Sequence, residues 1–176
     1  MDTWFTLPTV SDERPQMNHI PAYPDFTVTL TRDDWRQAEF INISKLCVVG
    51  EEVDEIKDIW INHSKESAEG IRLFQQLHIR KQIGPAELFI PLFELKALLR
   101  SDSLGSIAFD QQPGFVKNGF ALTTAASCYY GLEENGVVKY LCMHHSLPPT
   151  EREISRIIKT FSLIFVNWYT CNIQTP

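Results

Sequence analysis

The sequence lacks long apolar segments. No apolar run approaches the roughly 18 residues of a membrane-spanning helix. The start of the chain, MDTWFTLPTVSDERPQM, is polar and interrupted by prolines, without the basic stretch and apolar core of a secretory signal. We therefore expect a cytosolic (cytoplasmic) protein.

Closely spaced cysteines are also missing. The four cysteines, Cys47, Cys128, Cys142 and Cys171, lie far apart and form no CxxC pair. That spacing argues against a zinc site or a redox pair and favours four reduced structural thiols in a reducing compartment.

Sequence motifs that carry catalysis are absent as well. There is no phosphate-binding GxxxxGK[ST] or GxGxxG loop, no GxSxG nucleophile elbow and no HExxH helix. Carboxylate pairs such as Asp33 with Asp34, or Glu133 with Glu134, fall at a helix start and a hairpin tip, where solvation is expected. We therefore expect no catalytic residue, no cofactor and no metal ion, and a protein that is not an enzyme.

What the sequence does have is an ordinary globular composition with uneven charge. Its 176 residues are 44% apolar, 22% charged and 11% aromatic, which fits one domain with a substantial core. Fourteen of the 22 carboxylates lie in residues 1–70 against six Lys and Arg, so this part carries a formal charge of −8 and the remainder +2. The net charge of −6 argues against nucleic-acid and anionic-membrane binding and favours a basic partner.

The first 25 residues are predicted to form an irregular arm. They contain Pro8, Pro15, Pro21 and Pro24 and show little periodicity. Residues 26–176 are predicted to form a single α+β domain.

The most acidic segment is predicted to be a helix from about Gly50 to Asn62, with two acids in its first turn. Its helical spacing gives two faces. The buried stripe is predicted to contain Val53, Ile56 and Trp60, and the solvent face Glu51, Glu55 and Asp58.

Other segments alternate between strand and helix patterns. Phe26 to Leu30 predicts a strand, residues 31–37 a helical turn, and residues 39–43 fit either a helix or a strand. Further predictions are strands at 71–80, 107–109 and 115–122 and a helix from Pro91 to about Arg100.

Asn135-Gly136 predicts a tight hairpin between residues 127–132 and 137–143. A type I′ turn there sets Leu132 opposite Lys139, Tyr130 opposite Leu141 and Cys128 opposite Met143. On this register Cys142 faces away from Cys128 together with Tyr129 and Tyr140, so the two cysteines cannot form a disulfide.

The C-terminal segment is predicted to be one long amphipathic helix. Thr150 and Glu153 fit a capping box. Apolar residues follow at helical spacing: Ile154, Ile157, Ile158, Phe161, Ile164, Phe165 and Trp168. We expect this helix to cover an antiparallel or mixed sheet, with the helices on one side.

An alternative site lies in the predicted hairpin. A small enzyme or ligand-binding domain could use Tyr129, Tyr140, Cys142 and His144, because Cys142 and His144 share a strand face. His144 and His145 would point to opposite faces. Aromatic residues at alternate strand positions are more often part of the core.

The segment FTVTLTRDDWRQAEF, residues 26–40, resembles immunity proteins of bacterial contact-dependent growth inhibition systems. The resemblance implies a small cytosolic protein that binds a cognate toxin domain, commonly a nuclease, and blocks its active site. A nuclease groove is basic, and carboxylates would complement it. The expected contact residues are Glu51, Glu52, Asp54, Glu55 and Asp58, together with Asp33 and Asp34.

Overall fold

The computed structural model describes residues 2–81, 88–144 and 151–176. Within these ranges there are three α-helices, α1 (Leu46–Asn62), α2 (Leu92–Leu99) and α3 (Glu151–Phe161), and a 3-10 turn at Ile43–Lys45 precedes α1. The strands are β1 (Thr9–Ser11), β2 (Met17–Asn18), β3 (Thr27–Leu30), β4 (Ala38–Asn42), β5 (Ser64–Glu66), β6 (Arg72–Phe74), β7 (His78–Arg80), β8 (Ile90–Pro91), β9 (Ser106–Phe109), β10 (Phe115–Val116), β11 (Gly119–Thr123), β12 (Cys128–Glu134), β13 (Val137–His144), β14 (Leu163–Asn167) and β15 (Asn172–Gln174).

The centre of the fold is a seven-stranded antiparallel sheet. Its order is β11-β12-β13-β4-β14-β15, and β8 pairs with the beginning of β13. Smaller two-stranded pairs surround it, and two of these, β1–β7 and β3–β9, are parallel. The chain is therefore a single compact α+β domain with antiparallel and parallel pairing, as the sequence predicts.

Helices cover both faces of the sheet, so the expectation of helices on one side is wrong. Neighbouring residues of a strand point to opposite faces. Phe40 and Phe165 pack in the cluster that contains the apolar residues of α2 and α3. Ile41 and Ile164 pack instead with the buried residues of α1. The β3–β9 pair covers the rest of the α1 face.

The N-terminal arm lies across the domain. Within it, β1 pairs with β7 and β2 pairs with β10. Phe5 exchanges two backbone hydrogen bonds of 2.9 Å with Phe74. Residues 5–18 are thus held at several points by chain that lies far away in sequence.

The prediction of a long C-terminal helix is wrong. Helix α3 ends at Phe161, Ser162 takes a left-handed conformation with φ of 54°, and the chain returns as β14. Leu163 faces the α2–α3 side, whereas Val166 faces α1. A central strand is buried on both faces, so its apolar run is continuous and imitates helical spacing. The predicted capping residue Thr150 lies outside the described residues.

The hairpin register differs from the prediction beyond its first two pairs. Glu134 pairs with Val137 as expected, but the register shifts between Leu132 and Glu133, leaving Lys139 as the extra residue. Leu132 then lies opposite Tyr140. A bulge of this kind inserts one residue and reverses which face the following residues occupy.

The changed register places Tyr130 opposite Cys142 and Tyr129 opposite Met143. Cys128 and Cys142 therefore share a face, contrary to the prediction. All four cysteines are free thiols.

Two other boundaries differ. Helix α1 begins at Leu46, so Glu51 and Glu52 lie in its second turn, although its end at Asn62 agrees with the prediction. Residues 71–80 form two short strands, and residues 115–122 are interrupted at Asn118, where φ is 58°. No helix in the described residues is long and apolar enough to cross a membrane.

Candidate functional site

The candidate site is the outer face of α1. Val49, Val53 and Ile56 are buried against the sheet and hold the helix in place. Trp60 Nε1 donates a hydrogen bond of 2.9 Å to the carbonyl of Tyr169, which fixes the end of the helix. This packing leaves the opposite face of α1 in solvent.

Most of the predicted contact carboxylates lie on that exposed face. Glu51, Asp54, Glu55 and Asp58 are exposed, and Glu52 is half-buried. Their spacing puts them on adjacent turns of one helix, so they form a continuous negatively charged strip. We call these five residues the acidic strip.

A histidine from β7 contacts the edge of the acidic strip. His78 Nε2 lies 2.5 Å from Glu52 Oε2, and its Nδ1 lies 3.4 Å from Glu55 Oε2. On the helix itself, Asp58 accepts a 2.6 Å hydrogen bond from Asn62, and Asp54 lies 3.8 Å from Lys57. These contacts orient the carboxylates but leave the strip with an excess of negative charge.

A groove of about 500 Å³ runs beside the strip. It lies between α1 and the residues that lead into β7, and it is lined by Asp54, Glu55, Asp58, Ile59, Gln76 and His78. The buried side chain of Ile59 gives this groove an apolar wall. The groove is therefore suited to a side chain with an aliphatic stem and a cationic end, such as Arg or Lys.

Asp33 and Asp34 have different surroundings from each other. Asp34 Oδ2 accepts a hydrogen bond from the Thr31 amide at 3.1 Å, and Thr31 Oγ1 accepts one from the Asp34 amide at 3.2 Å. Asp34 thus stabilises its own turn. Asp33 is exposed and borders a second groove, of about 340 Å³, whose lining combines Asp12 and Glu13 with Arg14 and Arg32.

The β1–β7 ribbon separates the two grooves. His78 lines the groove beside α1, and the next residue, Ile79, lines the groove beside Asp33. Asp33 and the acidic strip consequently lie on either side of one narrow ribbon, on the same side of the central sheet.

A buried charged cluster lies beneath this ribbon, and the sequence analysis missed it. Arg36, Glu39 and Arg80 are each no more than 6% exposed. Arg36 Nε donates to Glu39 Oε2 at 2.8 Å, and its Nη1 donates to Glu13 Oε2 at 2.9 Å. Trp168 Nε1 donates to Glu39 Oε1 at 2.8 Å.

The two arginines of the cluster have different electrostatic surroundings. Burial acts to lower the pKa of Arg36, but the charges of Glu39 and Glu13 outweigh it and raise the pKa above its ordinary value. Burial lowers the pKa of Arg80 to about 10, with Glu39 opposing the change and Arg36 adding to it. Arg80 donates to Thr9 Oγ1 at 2.9 Å and to the carbonyl of Arg36 at 2.6 Å.

The geometry of the cluster is that of a structural support. The space beside it is only about 10 Å³, which is too small for a ligand. The sequence signal that could have revealed it is Glu39, a charged residue between the apolar residues Ala38 and Phe40 of β4. The cluster supports the ribbon that lies between the two grooves.

The structure does not bring together the four residues of the alternative hairpin site. Tyr129 lies on the α2–α3 face, where its hydroxyl donates to Glu153 at 2.8 Å. Tyr140, Cys142 and His144 alternate along β13 on the opposite face. Cys142 is 1% exposed, and burial, followed by the charge of Glu39, raises its pKa well above the ordinary value. His145 lies outside the described residues.

Among residues 2–81, 88–144 and 151–176, no group of three or more His, Cys, Asp or Glu is arranged to hold a metal ion. Comparisons with protein-family models, with curated proteins and with solved structures found no match to this chain.

Proposed function

We propose that this protein is a cytoplasmic immunity protein that binds a basic toxin domain and covers its active-site groove. The observation that carries the proposal is the acidic strip: five carboxylates on one helix beside a groove of about 500 Å³. A nuclease domain, which must hold a polyanion, is the class of toxin that best complements this surface.

The mode of inhibition is electrostatic mimicry. Lys and Arg that normally contact phosphate oxygens would instead donate charge-assisted hydrogen bonds to Glu51, Glu55 and Asp58. The groove beside α1 would receive one of these side chains, with its aliphatic part against Ile59. Asp33, across the ribbon in a groove that Arg14 and Arg32 also line, would add one further carboxylate contact.

The resemblance to immunity proteins and the acidic strip support the same function. The resemblance lies in residues 26–40, however, whereas the acidic strip lies on α1. Asp34 holds its own turn through Thr31, so we assign it a supporting role rather than a contact. The contacts that we propose are Glu51, Glu52, Asp54, Glu55, Asp58 and Asp33.

The test is binding to the product of the gene immediately upstream, which on this proposal contains the toxin domain. Changing Glu51, Glu55 and Asp58 together to Lys should weaken binding about 100-fold or more, because three favourable charge contacts become repulsive. Isothermal titration calorimetry measures the affinity, and a growth assay with induced toxin measures protection.

The matched control reverses three exposed carboxylates on the α2–α3 side, Glu94, Asp102 and Glu151. It changes the net charge by the same amount and should leave the affinity within a few-fold of wild type. Undiminished binding by the first variant would remove the acidic strip from the interface. Equal weakening by both variants would show that only net charge matters.

A further inference from the structure

The two edges of the central sheet differ. At one end, β11 is covered, because Gly105 and Ala121 exchange backbone hydrogen bonds of 2.9 and 2.8 Å. At the other end, β15 pairs with β14 alone within the described part of the chain. The outer edge of β15 therefore presents backbone groups that can pair with another strand.

This edge strand is only three residues long and is followed by Pro176, but it lacks the charges that protect many natural edge strands. The peripheral β5–β6 pair, for comparison, carries Lys65, Glu66 and Arg72. In contrast, residues 160–176 contain no Asp, Glu, Lys, Arg or His. In a chain with a net charge of −6, a neutral edge is where two copies can approach with the least repulsion.

We infer that β15 pairs antiparallel with β15 of a second copy, which joins the two central sheets into one. A two-fold axis at Ile173 places the Ile173 side chains of the two copies opposite each other on the α1 face. It places Asn172 of each copy opposite Gln174 of the other on the α2–α3 face. Asn and Gln amides both donate and accept hydrogen bonds, so the strand is complementary to itself.

The flank of α1 beside this edge is accessible as well. Burial raises the pKa of the Cys171 thiol, just before β15, and the nearby charge of Lys57 on α1 acts to lower it. Ile61, one turn beyond Lys57, is 77% exposed.

An antiparallel edge pair keeps the α1 helices of both copies on the same side of the joined sheet. The dimer therefore presents two acidic strips on one side, whether or not they bind a toxin.

The experiment measures association of the purified full chain by sedimentation equilibrium from about 1 to 500 µM. Two double variants test whether residue 172 of one copy lies opposite residue 174 of the other. Asn172→Lys with Gln174→Lys sets like charges opposite each other twice across the axis and should weaken dimerisation about ten-fold or more. Asn172→Lys with Gln174→Glu sets opposite charges there and should keep the dissociation constant within a few-fold of wild type.

Thermal unfolding of both variants checks that the fold is retained. The proposal is overturned if the wild-type chain remains monomeric over the whole concentration range. It is also overturned if the two variants change the dissociation constant equally, because the pairing across the axis would then have no effect. Binding of the toxin domain plays no part in this readout, so failure here is separate from failure of the proposed function.

Discussion

At the scale of single residues, Glu39 is the carboxylate on which the buried charged cluster depends. It accepts hydrogen bonds from Arg36 and Trp168, each at 2.8 Å, and it is 4% exposed. Glu39→Ala should lower the free energy of unfolding by about 3–5 kcal/mol, since it leaves Arg36 and Arg80 with too little negative charge. Urea denaturation measures the loss.

Glu39→Gln is the matched control for this variant. It keeps the side-chain volume and an oxygen that can accept from Trp168, but it replaces the oxygen that accepts from Arg36 by an NH2 donor. Its loss should still be smaller than that of Glu39→Ala, which also leaves a cavity and removes the acceptor for Trp168. A Glu39→Ala protein within 1 kcal/mol of wild type in the same urea titration would contradict the assigned role of the cluster.

The same scale shows what could be read from the sequence for the site. Helical spacing correctly placed Glu51, Glu55 and Asp58 on an exposed face, because one helix periodicity determines both faces of a helix. The contact of His78 with Glu52 could not be predicted, because the two residues are 26 positions apart in the sequence and lie on β7 and α1. Contacts of that kind depend on the topology of the fold, which local spacing does not give.

At the scale of elements, the turn at Ser162 decides between one long helix and a helix followed by a strand. Its φ of 54° is a conformation that a residue with a side chain adopts at a cost and glycine adopts freely. Ser162→Gly should therefore raise the free energy of unfolding by about 0.5–1 kcal/mol, measured by urea denaturation.

The sign of this change in stability distinguishes a helix followed by a strand from one continuous helix. In a continuous helix through residue 162, the same substitution would lower the stability by a few tenths of a kcal/mol or more, because glycine is a poor helix former. Ser162→Ala is the companion variant. It should be no more stable than wild type, because alanine gains nothing in the left-handed region.

The errors at the element scale have a common origin. The run from Leu163 to Val166 is apolar at every position, and such a run fits a buried strand or a buried helix equally well. In the hairpin, the turn residues Asn135 and Gly136 correctly predicted the first pairs. No local sequence pattern predicted that Lys139 is an extra residue in the pairing. Short elements with alternating residues, such as β3, were predicted well because their faces have different environments.

At the scale of the whole molecule, the helices on the two sides of the sheet differ in charge. The acidic strip and Asp33 lie on the α1 side. On the other side the charges of α2 and α3 nearly balance, with Glu94, Glu151 and Glu153 against Lys96, Arg152, Arg156 and Lys159. This arrangement should orient a basic partner before contact. The association rate with the toxin domain should fall about ten-fold or more from low to high salt, measured by stopped-flow fluorescence.

The dissociation rate provides the internal comparison for that prediction. Desolvated contacts are screened less than long-range steering, so the dissociation rate should change less with salt than the association rate. An association rate that is independent of salt would contradict a steering role for the acidic side.

The buried charged cluster has a further consequence, for the order in which the chain can fold during synthesis. Thr9 and Glu13 contribute to it from one end of the sequence and Trp168 from the other. A chain still emerging from the ribosome carries Arg36 and Glu39 long before Trp168 is available, and the central strand β14 arrives equally late. Folding is therefore expected to wait until β14 and Trp168 have left the ribosome, so that the nascent chain depends on its own solubility, or on chaperones, until then.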